Sequence, residues 1–161
     1  MPWKNHKKRR LSKRNQIIRG NSPKIYFDAC ALESRILYND FYTNNKYNNS
    51  FFVSHLSVGE AFCNCKDSEQ RNAFISLFNN LEKDYKLQTI ENDNCDKIFY
   101  NIKNYFDRFS LTDSLHLATA IHYKYDVFYT TDRDYDINTS KLNRFIKSNN
   151  YHQIKINKMK K

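Results

Sequence analysis

Two aspartates of this chain each follow a short run of strand-forming residues. Asp28 ends the segment IYFD, and Asp132 follows VFYTT in the segment VFYTTDRDYD. An ionised carboxylate at the end of a buried strand is very costly unless a partner neutralises it. For Asp28 the partner could be a lysine, a capped helix end, a protonated neighbour or a metal ion. The rest of the chain must therefore supply whatever compensates this carboxylate.

Two further carboxylates, Glu60 and Asp113, lie near the starts of predicted helices, in VSHLSVGEAF and FSLTDSLHLATAIHY. Ser57 and Glu60 have the S-x-x-E spacing of a capping box, and Ser110 and Asp113 have the related S-x-x-D spacing. As caps, the two acids would only satisfy backbone N–H groups. Near the strand-end aspartates they would instead belong to a carboxylate cluster. The spacing leaves both roles open.

Strand and helix patterns alternate along the chain and determine where these acids meet. Short apolar runs predict strands, and apolar residues at helical spacing predict helices. Strands separated by helices predict right-handed crossovers and a mostly parallel sheet covered on both faces. The expected fold class is therefore α/β, a three-layer sandwich with a central parallel sheet of four or five strands. The predicted strands are 25–27, 51–54, 86–90, 127–131 and 152–156, and the predicted helices are 30–41, 57–65, 68–84, 93–107, 111–124 and 140–148.

The carboxyl ends of parallel strands share one edge of the sheet, where ligands bind at the switch in strand order. This edge would collect Asp28, Glu60, Asp113 and Asp132. Four uncompensated carboxylates would repel one another severely. Hard divalent cations between them would make the cluster stable, because oxygen-rich sites suit Mg²⁺ and Mn²⁺. A metal ion is thus the predicted partner of Asp28.

The charge of the chain is unevenly distributed. The net charge is +10, and of the 27 Lys and Arg residues nine lie in 1–24 and four in 155–161, where there is no acid. The segment 25–154 contains the remaining 14 basic residues and all 17 acids, so the globular body is mildly acidic. We expect residues 1–24 to be a disordered basic tail that either binds a polyanion or only aids solubility. The candidate nucleic-acid-binding residues are Lys7, Lys8, Arg9, Arg10, Lys13 and Arg14.

The composition excludes several classes of protein. A length of 161 residues with 40% hydrophobic residues fits one globular domain, and only two Gly and two Pro argue against low-complexity structure. No apolar run is long enough to span a membrane, so we expect a cytoplasmic protein. The four cysteines fit neither a disulfide framework nor a zinc-site spacing and are expected to be reduced thiols.

Four motifs, in order, resemble those of the PIN-domain nucleases, and in size the chain resembles the VapC-type toxins of prokaryotic toxin–antitoxin pairs. The motifs are YFDACAL, VSHLSVGEAF, LTDSLHLATA and YTTDRDYD. The resemblance covers about 25–156 and leaves basic segments at 1–24 and 157–161. In the family pattern the metal-binding and catalytic positions fall on Asp28, Glu60, Asp113 and Asp132. Asp134 and Asp136 are further acids near the last position, and Asp132 fits best because it lies nearest the strand end.

The resemblance implies hydrolysis of RNA phosphodiester bonds with Mg²⁺ or Mn²⁺ as the cofactor. It also implies a cognate antitoxin protein as a partner and a homodimer. The implied site roles are Asp28 and Asp113 as main ligands, Glu60 and Asp132 as holders of a second ion or of outer waters, Ser54 and Thr130 as groups that orient water or phosphate, and Asp134 as a supporting acid.

Other functions are also considered for this sequence. A housekeeping RNA-processing PIN nuclease with basic arms would carry the same motifs. A PIN fold that only binds nucleic acid or protein would be expected to lose acids. A haloacid-dehalogenase-like phosphatase would need an acid at position 30, where this chain has Cys30. A receiver domain would need a pair of acids just before the first strand end, and none is evident.

Some residues are predicted to have no role in the site. His116 and His122 are six residues apart on the predicted helix 111–124, so they lie on different faces and form no metal pair. His55 is expected at the surface. An apolar face on the predicted helices 68–84 and 93–107 could be core or a self-association face. The apolar stripe of 68–84 consists of Phe74, Leu77, Phe78 and Leu81.

Overall fold

The computed structural model describes residues 23–37, 50–84, 87–135 and 139–158. Within them strands and helices alternate as the sequence predicts. The strands are β1 (Lys24–Phe27), β2 (Ser50–Ser54), β3 (Leu87–Ile90), β4 (Val127–Thr130) and β5 (Lys155–Lys158). The α-helices are α1 (Ala29–Leu37), α2 (His55–Cys63), α3 (Ser68–Lys83), α4 (Asp96–Tyr105), α5 (Leu111–His122) and α6 (Thr139–Ser148), and a short 3-10 helix spans Arg133–Tyr135.

The five strands form one parallel sheet in the order β3-β2-β1-β4-β5. β1 is the central strand, and Tyr26 lies opposite Phe52 on one side and Phe128 on the other. β5 begins later than predicted, because its residues Lys155–Lys158 pair in register with the whole of β4. The predicted α/β class and the parallel sheet are confirmed.

The alternation of β1 places its side chains in two separate hydrophobic cores. Ile25 and Phe27 pack on one face of the sheet, and Tyr26 packs on the other. Residues of α1, α2 and α3 cover the first face, and residues of α4, α5 and α6 cover the second. The molecule therefore has the predicted three layers of helices, sheet and helices.

The apolar stripe of α3 belongs to the core. Phe74 and Leu81 are buried in the cluster that contains Phe27, and Leu77 and Phe78 pack against it while partly buried. Of the two roles that the sequence leaves open for this stripe, core packing is the one observed.

The four cysteines are free thiols, as predicted. No helix in the described ranges is both long enough and apolar enough to cross a membrane. The basic residues Lys7, Lys8, Arg9, Arg10, Lys13 and Arg14 lie outside the described residues, and so does Asp136.

Candidate active site

The strand order reverses direction between β1 and β4, and both strands end at the same edge of the sheet. Asp28 is the first residue after β1, and its backbone N–H donates to the carbonyl oxygen of Tyr129 over 3.2 Å. Thr130 is the last residue of β4. The crevice at such a reversal is where parallel α/β sheets bind ligands. Asp28 and Thr130 therefore lie at the position that the topology favours for a site.

Asp28 is almost fully buried, with 4% of its surface exposed. Its Oδ1 accepts a hydrogen bond from the backbone N–H of Ala31 over 2.9 Å, and its Oδ2 accepts a hydrogen bond from the Thr130 hydroxyl. Burial raises the pKa of Asp28 to about 6, although both hydrogen bonds oppose this shift. The negative charge of Asp132 also raises the pKa of Asp28, because like charges repel. The strand-end carboxylate is thus buried with incomplete compensation.

Thr130 connects Asp28 to the acids that follow β4. Its hydroxyl donates to Asp28 and accepts from the backbone N–H of Asp132 over 2.9 Å. Asp132 Oδ1 in turn accepts from the backbone N–H of Asp134 over 2.9 Å, at the start of the 3-10 helix. These bonds fold the TTDRD segment back on itself. The side chains of Asp132 and Asp134 therefore lie on the same side of the turn.

Asp113 has the helix-capping role that its spacing predicts. Ser110 is the N-cap of α5, its hydroxyl accepts from the Asp113 N–H over 3.0 Å, and Asp113 Oδ2 accepts from the Ser110 N–H over 3.2 Å. The Ser110 hydroxyl donates to the same Oδ2 over 2.7 Å. Because both contacts of the Asp113 carboxylate use Oδ2, Asp113 Oδ1 is left for another partner. Capping and metal binding are therefore compatible at this residue.

Three acids come together at this edge. Asp113, Asp132 and Asp134 each offer one carboxylate oxygen, and these oxygens lie within 4.8 Å of one another. Tyr135 holds the two segments in place, since its hydroxyl donates to the backbone carbonyl of Asp113 over 2.7 Å. The first two acids are half-buried and Asp134 is exposed. Clustered carboxylate oxygens are the ligands that Mg²⁺ and Mn²⁺ prefer, so the donor set fits a hard divalent cation.

Glu60 does not cap a helix with Ser57, so that alternative is wrong. α2 begins one turn earlier, with Ser54 as the N-cap, and the Ser54 side chain accepts from the Ser57 N–H. Ser57 is buried inside the helix. Glu60 Oε2 instead lies 2.7 Å from His116 Nε2 on α5. Glu60 is not one of the three clustered acids, but it contacts the same helix as Asp113.

Ser54 is fully buried, and its hydroxyl lies 2.9 Å from the Tyr26 hydroxyl. The Ser54 hydroxyl oxygen also accepts the hydrogen bond from the Ser57 N–H that caps α2. Thr130 is also fully buried and contacts two predicted site acids, as described above. Of the two predicted supporting hydroxyls, only Thr130 contacts the strand-end carboxylate.

Sequence reasoning missed His116. This histidine is buried, its Nε2 contacts Glu60, and its Nδ1 lies 2.8 Å from the Tyr26 hydroxyl. A signal was present, because His116 is three residues after Asp113 and so lies on the same side of α5. His55, in contrast, is exposed as predicted and pairs with Glu91 at 3.1 Å.

The chain matches the family model of the PIN domain over residues 31–139. Because this match covers more than half of the sequence, the chain belongs to the PIN-domain family, which is a family of nucleases. Glu60, Asp113, Asp132 and Asp134 lie inside the matched range, whereas Asp28 lies just before it.

Among solved structures, the chain is similar to a crystal structure of VapBC2 from Rickettsia felis bound to a DNA fragment from their promoter. The TM-score is 0.54 at 15% sequence identity, and the match covers 83% of this chain and 98% of that chain. At this level of identity the similarity shows the fold. A comparison with curated protein sequences gave no match.

Proposed function

We propose that this PIN domain is an endoribonuclease that depends on Mg²⁺ or Mn²⁺ and that serves as the toxin of a toxin–antitoxin pair. The observation that carries the proposal is the meeting of Asp113, Asp132 and Asp134 within 4.8 Å. This cluster lies beside the buried Asp28. The Thr130 hydroxyl connects the two, because it donates to Asp28 and accepts from the backbone N–H of Asp132. Such a concentration of negative charge is poorly suited to a purely structural role, because the carboxylates repel one another.

The roles of the site residues follow from their positions. Asp28 and Asp113 would be the main metal ligands, and Asp132 and Asp134 would complete the oxygen donors on the exposed side. A bound divalent cation would supply activation of a water molecule and neutralisation of charge on the phosphate oxygens. Thr130 holds the carboxylate of Asp28 and the backbone of Asp132 in fixed positions.

Glu60 would act from the neighbouring helix, where it would orient a second ion or a metal-bound water. Its side chain is 35% exposed, so it can contact both solvent and the buried His116. Ser54 is less suited to the role of orienting water or phosphate than the sequence suggested, because it is fully buried and already contacts Tyr26.

The proposed partners are RNA, an antitoxin protein and a second copy of the chain, and the proposed location is the cytoplasm. The antitoxin is proposed because the similar structure is VapBC2 with a fragment of promoter DNA, and because the chain resembles the VapC-type toxins in size. RNA is proposed as the substrate from the same resemblance. The net charge of +10 favours binding to a polyanion.

The test is cleavage of single-stranded RNA by the purified full chain. We expect cleavage with Mg²⁺ or Mn²⁺, none after chelation by EDTA, and none with Asp113→Asn in either metal. Asp84→Asn is the matched control, because Asp84 is an exposed aspartate that follows α3, just before the start of β3 at the opposite edge of the sheet. Cleavage by Asp113→Asn at the wild-type rate would refute the proposed metal site.

A growth assay tests the toxin part separately. Induced expression of the wild-type chain should arrest growth of a bacterial host, and expression of Asp113→Asn should not. Co-expression of a small protein encoded next to the gene should restore growth. Cleavage in vitro without growth arrest would favour the housekeeping RNA-processing nuclease. Tight RNA binding without cleavage would favour a non-catalytic PIN fold.

A further inference from the structure

A buried polar chain runs from the central strand to Glu60. Tyr26 is fully buried on β1, and its hydroxyl lies 2.9 Å from Ser54 Oγ, 3.1 Å from Ser57 Oγ and 2.8 Å from His116 Nδ1. The other ring nitrogen of His116 lies 2.7 Å from Glu60 Oε2. Four elements, β1, β2, α2 and α5, therefore meet in one network of hydrogen bonds. Such a network is favourable only when every donor has an acceptor.

One assignment of the protons in this network is consistent with all of the contacts. The Ser57 hydroxyl donates to the backbone carbonyl of Phe27 over 3.0 Å, so its proton is already used. Burial raises the pKa of Tyr26, so the phenol keeps its proton and can donate it to His116 Nδ1. A neutral imidazole that accepts at Nδ1 carries its proton on Nε2. An ionised Glu60 can only accept, so Nε2–H must be the donor of that contact.

We propose that His116 is a positioning residue for Glu60, which it holds toward the metal site by donating Nε2–H to Oε2. Tyr26 fixes the ring of His116 from the other side. The inference rests on the proposed nuclease function, in which Glu60 is one of the metal-site acids.

The geometry explains why Glu60 needs such a partner. Glutamate has several rotatable bonds, and a side chain that is 35% exposed would otherwise sample many rotamers. The bond to His116 uses Oε2 and leaves Oε1 for water or metal. His116 has only 3% of its side chain exposed, so packing fixes the donor itself. Partners that hold a metal-site carboxylate in this way typically change metal affinity about 10- to 100-fold when they are removed.

Two amide variants separate positioning from simple core packing. Glutamine has its terminal amide near the place of histidine Nε2, so His116→Gln keeps a donor for Glu60. Asparagine has its amide near the place of Nδ1, so His116→Asn keeps a partner for Tyr26 and loses the donor for Glu60. Both variants replace the ring by a smaller amide, so a packing role alone predicts similar losses in the two.

The experiment measures Mn²⁺ affinity of the full chain by isothermal titration calorimetry, with thermal unfolding as the check on folding. We expect His116→Asn to weaken Mn²⁺ binding about 10- to 100-fold and His116→Gln to restore most of this loss. In a Glu60→Gln background, His116→Asn should have no further effect on Mn²⁺ affinity. Wild-type affinity in His116→Asn would overturn the inference while leaving the proposed metal site intact. Absence of Mn²⁺ binding by the wild-type chain would overturn both.

A second measurement uses the wild-type chain and needs no destabilising variant. Nitrogen-15 NMR of histidine-labelled protein distinguishes the tautomers of each of the five histidines. We expect His116 to carry a proton on Nε2 in the metal-free protein. A His116 ring with a bare Nε2 could not donate to Glu60 and would overturn the inference.

Discussion

Asp28 is a buried carboxyl group, so its contribution to the stability of the fold depends on pH. Its pKa is about 6 in the metal-free fold, against an ordinary value of 3.8, chiefly because burial penalises the charged form. A carboxyl whose pKa is raised by folding stabilises the fold only while it is protonated. This contribution is complete below about pH 4 and is lost as the pH rises through about 6. A difference of about two pKa units corresponds to about 3 kcal/mol in the free energy of unfolding.

Asp28→Asn should remove this pH dependence, because asparagine is neutral throughout and nearly the same size. Between about pH 4.5 and about pH 8, the metal-free wild-type chain should lose about 2 kcal/mol of stability that the variant keeps. The measurement is urea unfolding in EDTA at both pH values, with Asp84→Asn as the control. The variant should also fail to cleave RNA at any pH. Parallel pH profiles for wild type and Asp28→Asn would contradict the incomplete compensation of this carboxylate.

Asp113 has two roles that different substitutions separate. Asparagine can still accept the Ser110 N–H, so Asp113→Asn should change the free energy of unfolding by less than about 0.5 kcal/mol while abolishing metal-dependent cleavage. Asp113→Ala loses the cap as well and should cost about 1 kcal/mol more. Chemical denaturation and RNA cleavage on both variants test this. If Asp113→Asn is fully active, the residue is only a cap.

At the scale of single elements, the two capping predictions had different outcomes for a physical reason. The segment VSHLSVGE contains serines at positions 54 and 57, and either could begin a helix with its hydroxyl as the cap. Ser54 ends β2 in an extended conformation, so the helix begins there and Ser57 falls inside it. Ser110 also precedes the other cap-forming residues of its segment, Thr112 and Ser114, and its capping box with Asp113 forms. In both segments the first serine is therefore the cap, and the S-x-x-E spacing of a later serine is not sufficient.

The sequence predicted the layers, the parallel sheet and the edge at which the acids meet, because hydrophobic periodicity and crossover handedness are local or general rules. It did not predict the bond between Glu60 and His116, which joins residues 56 positions apart on different helices. That contact depends on how α2 and α5 are placed across the end of β1. The sequence also did not distinguish Asp134 as a member of the cluster. The position of its side chain depends on the turn after β4, in which the Asp134 N–H donates to Asp132 Oδ1.

The packing of α3 gives a prediction at the same scale. Phe74 is 1% exposed and contacts the core, whereas its neighbour Ile75 is 44% exposed. Phe74→Ala should destabilise the fold by about 3 to 5 kcal/mol, and Ile75→Ala should change stability by less than about 1 kcal/mol. Urea unfolding of the two variants measures the difference. A large loss in Ile75→Ala alone would mean that this helix turns its other face inward.

At the scale of the whole molecule, self-association remains a prediction. Since the stripe of Phe74 and Leu81 is core, an interface must use other residues, and the exposed apolar side chains are Ile75, Tyr100, Tyr105 and Leu111 among those described. We expect light scattering of the full chain to give twice the chain mass. A single-chain mass that persists at high protein concentration would exclude the dimer.

The basic N-terminal segment supplies the last prediction. Residues 1–24 hold nine Lys and Arg and no acid, whereas the rest of the chain up to 154 is mildly acidic, so this segment should provide much of the attraction to RNA. Phosphate contacts release counterions, and each contact contributes about 0.7 to the slope of log affinity against log salt for single strands. Deleting 1–22 should therefore weaken RNA binding and flatten this slope between about 50 and about 200 mM salt.

The cleavage position should not change on this deletion, because phosphate contacts carry no sequence information. A full-length variant with glutamine at the six candidate positions, Lys7, Lys8, Arg9, Arg10, Lys13 and Arg14, is the matched control for length. It should show most of the loss in affinity that the deletion shows. Fluorescence anisotropy gives the affinities, and gel mapping of the same RNA gives the cut sites. A shifted cut site in either variant would mean that the segment reads RNA sequence or shape and contributes to substrate choice as well as to affinity.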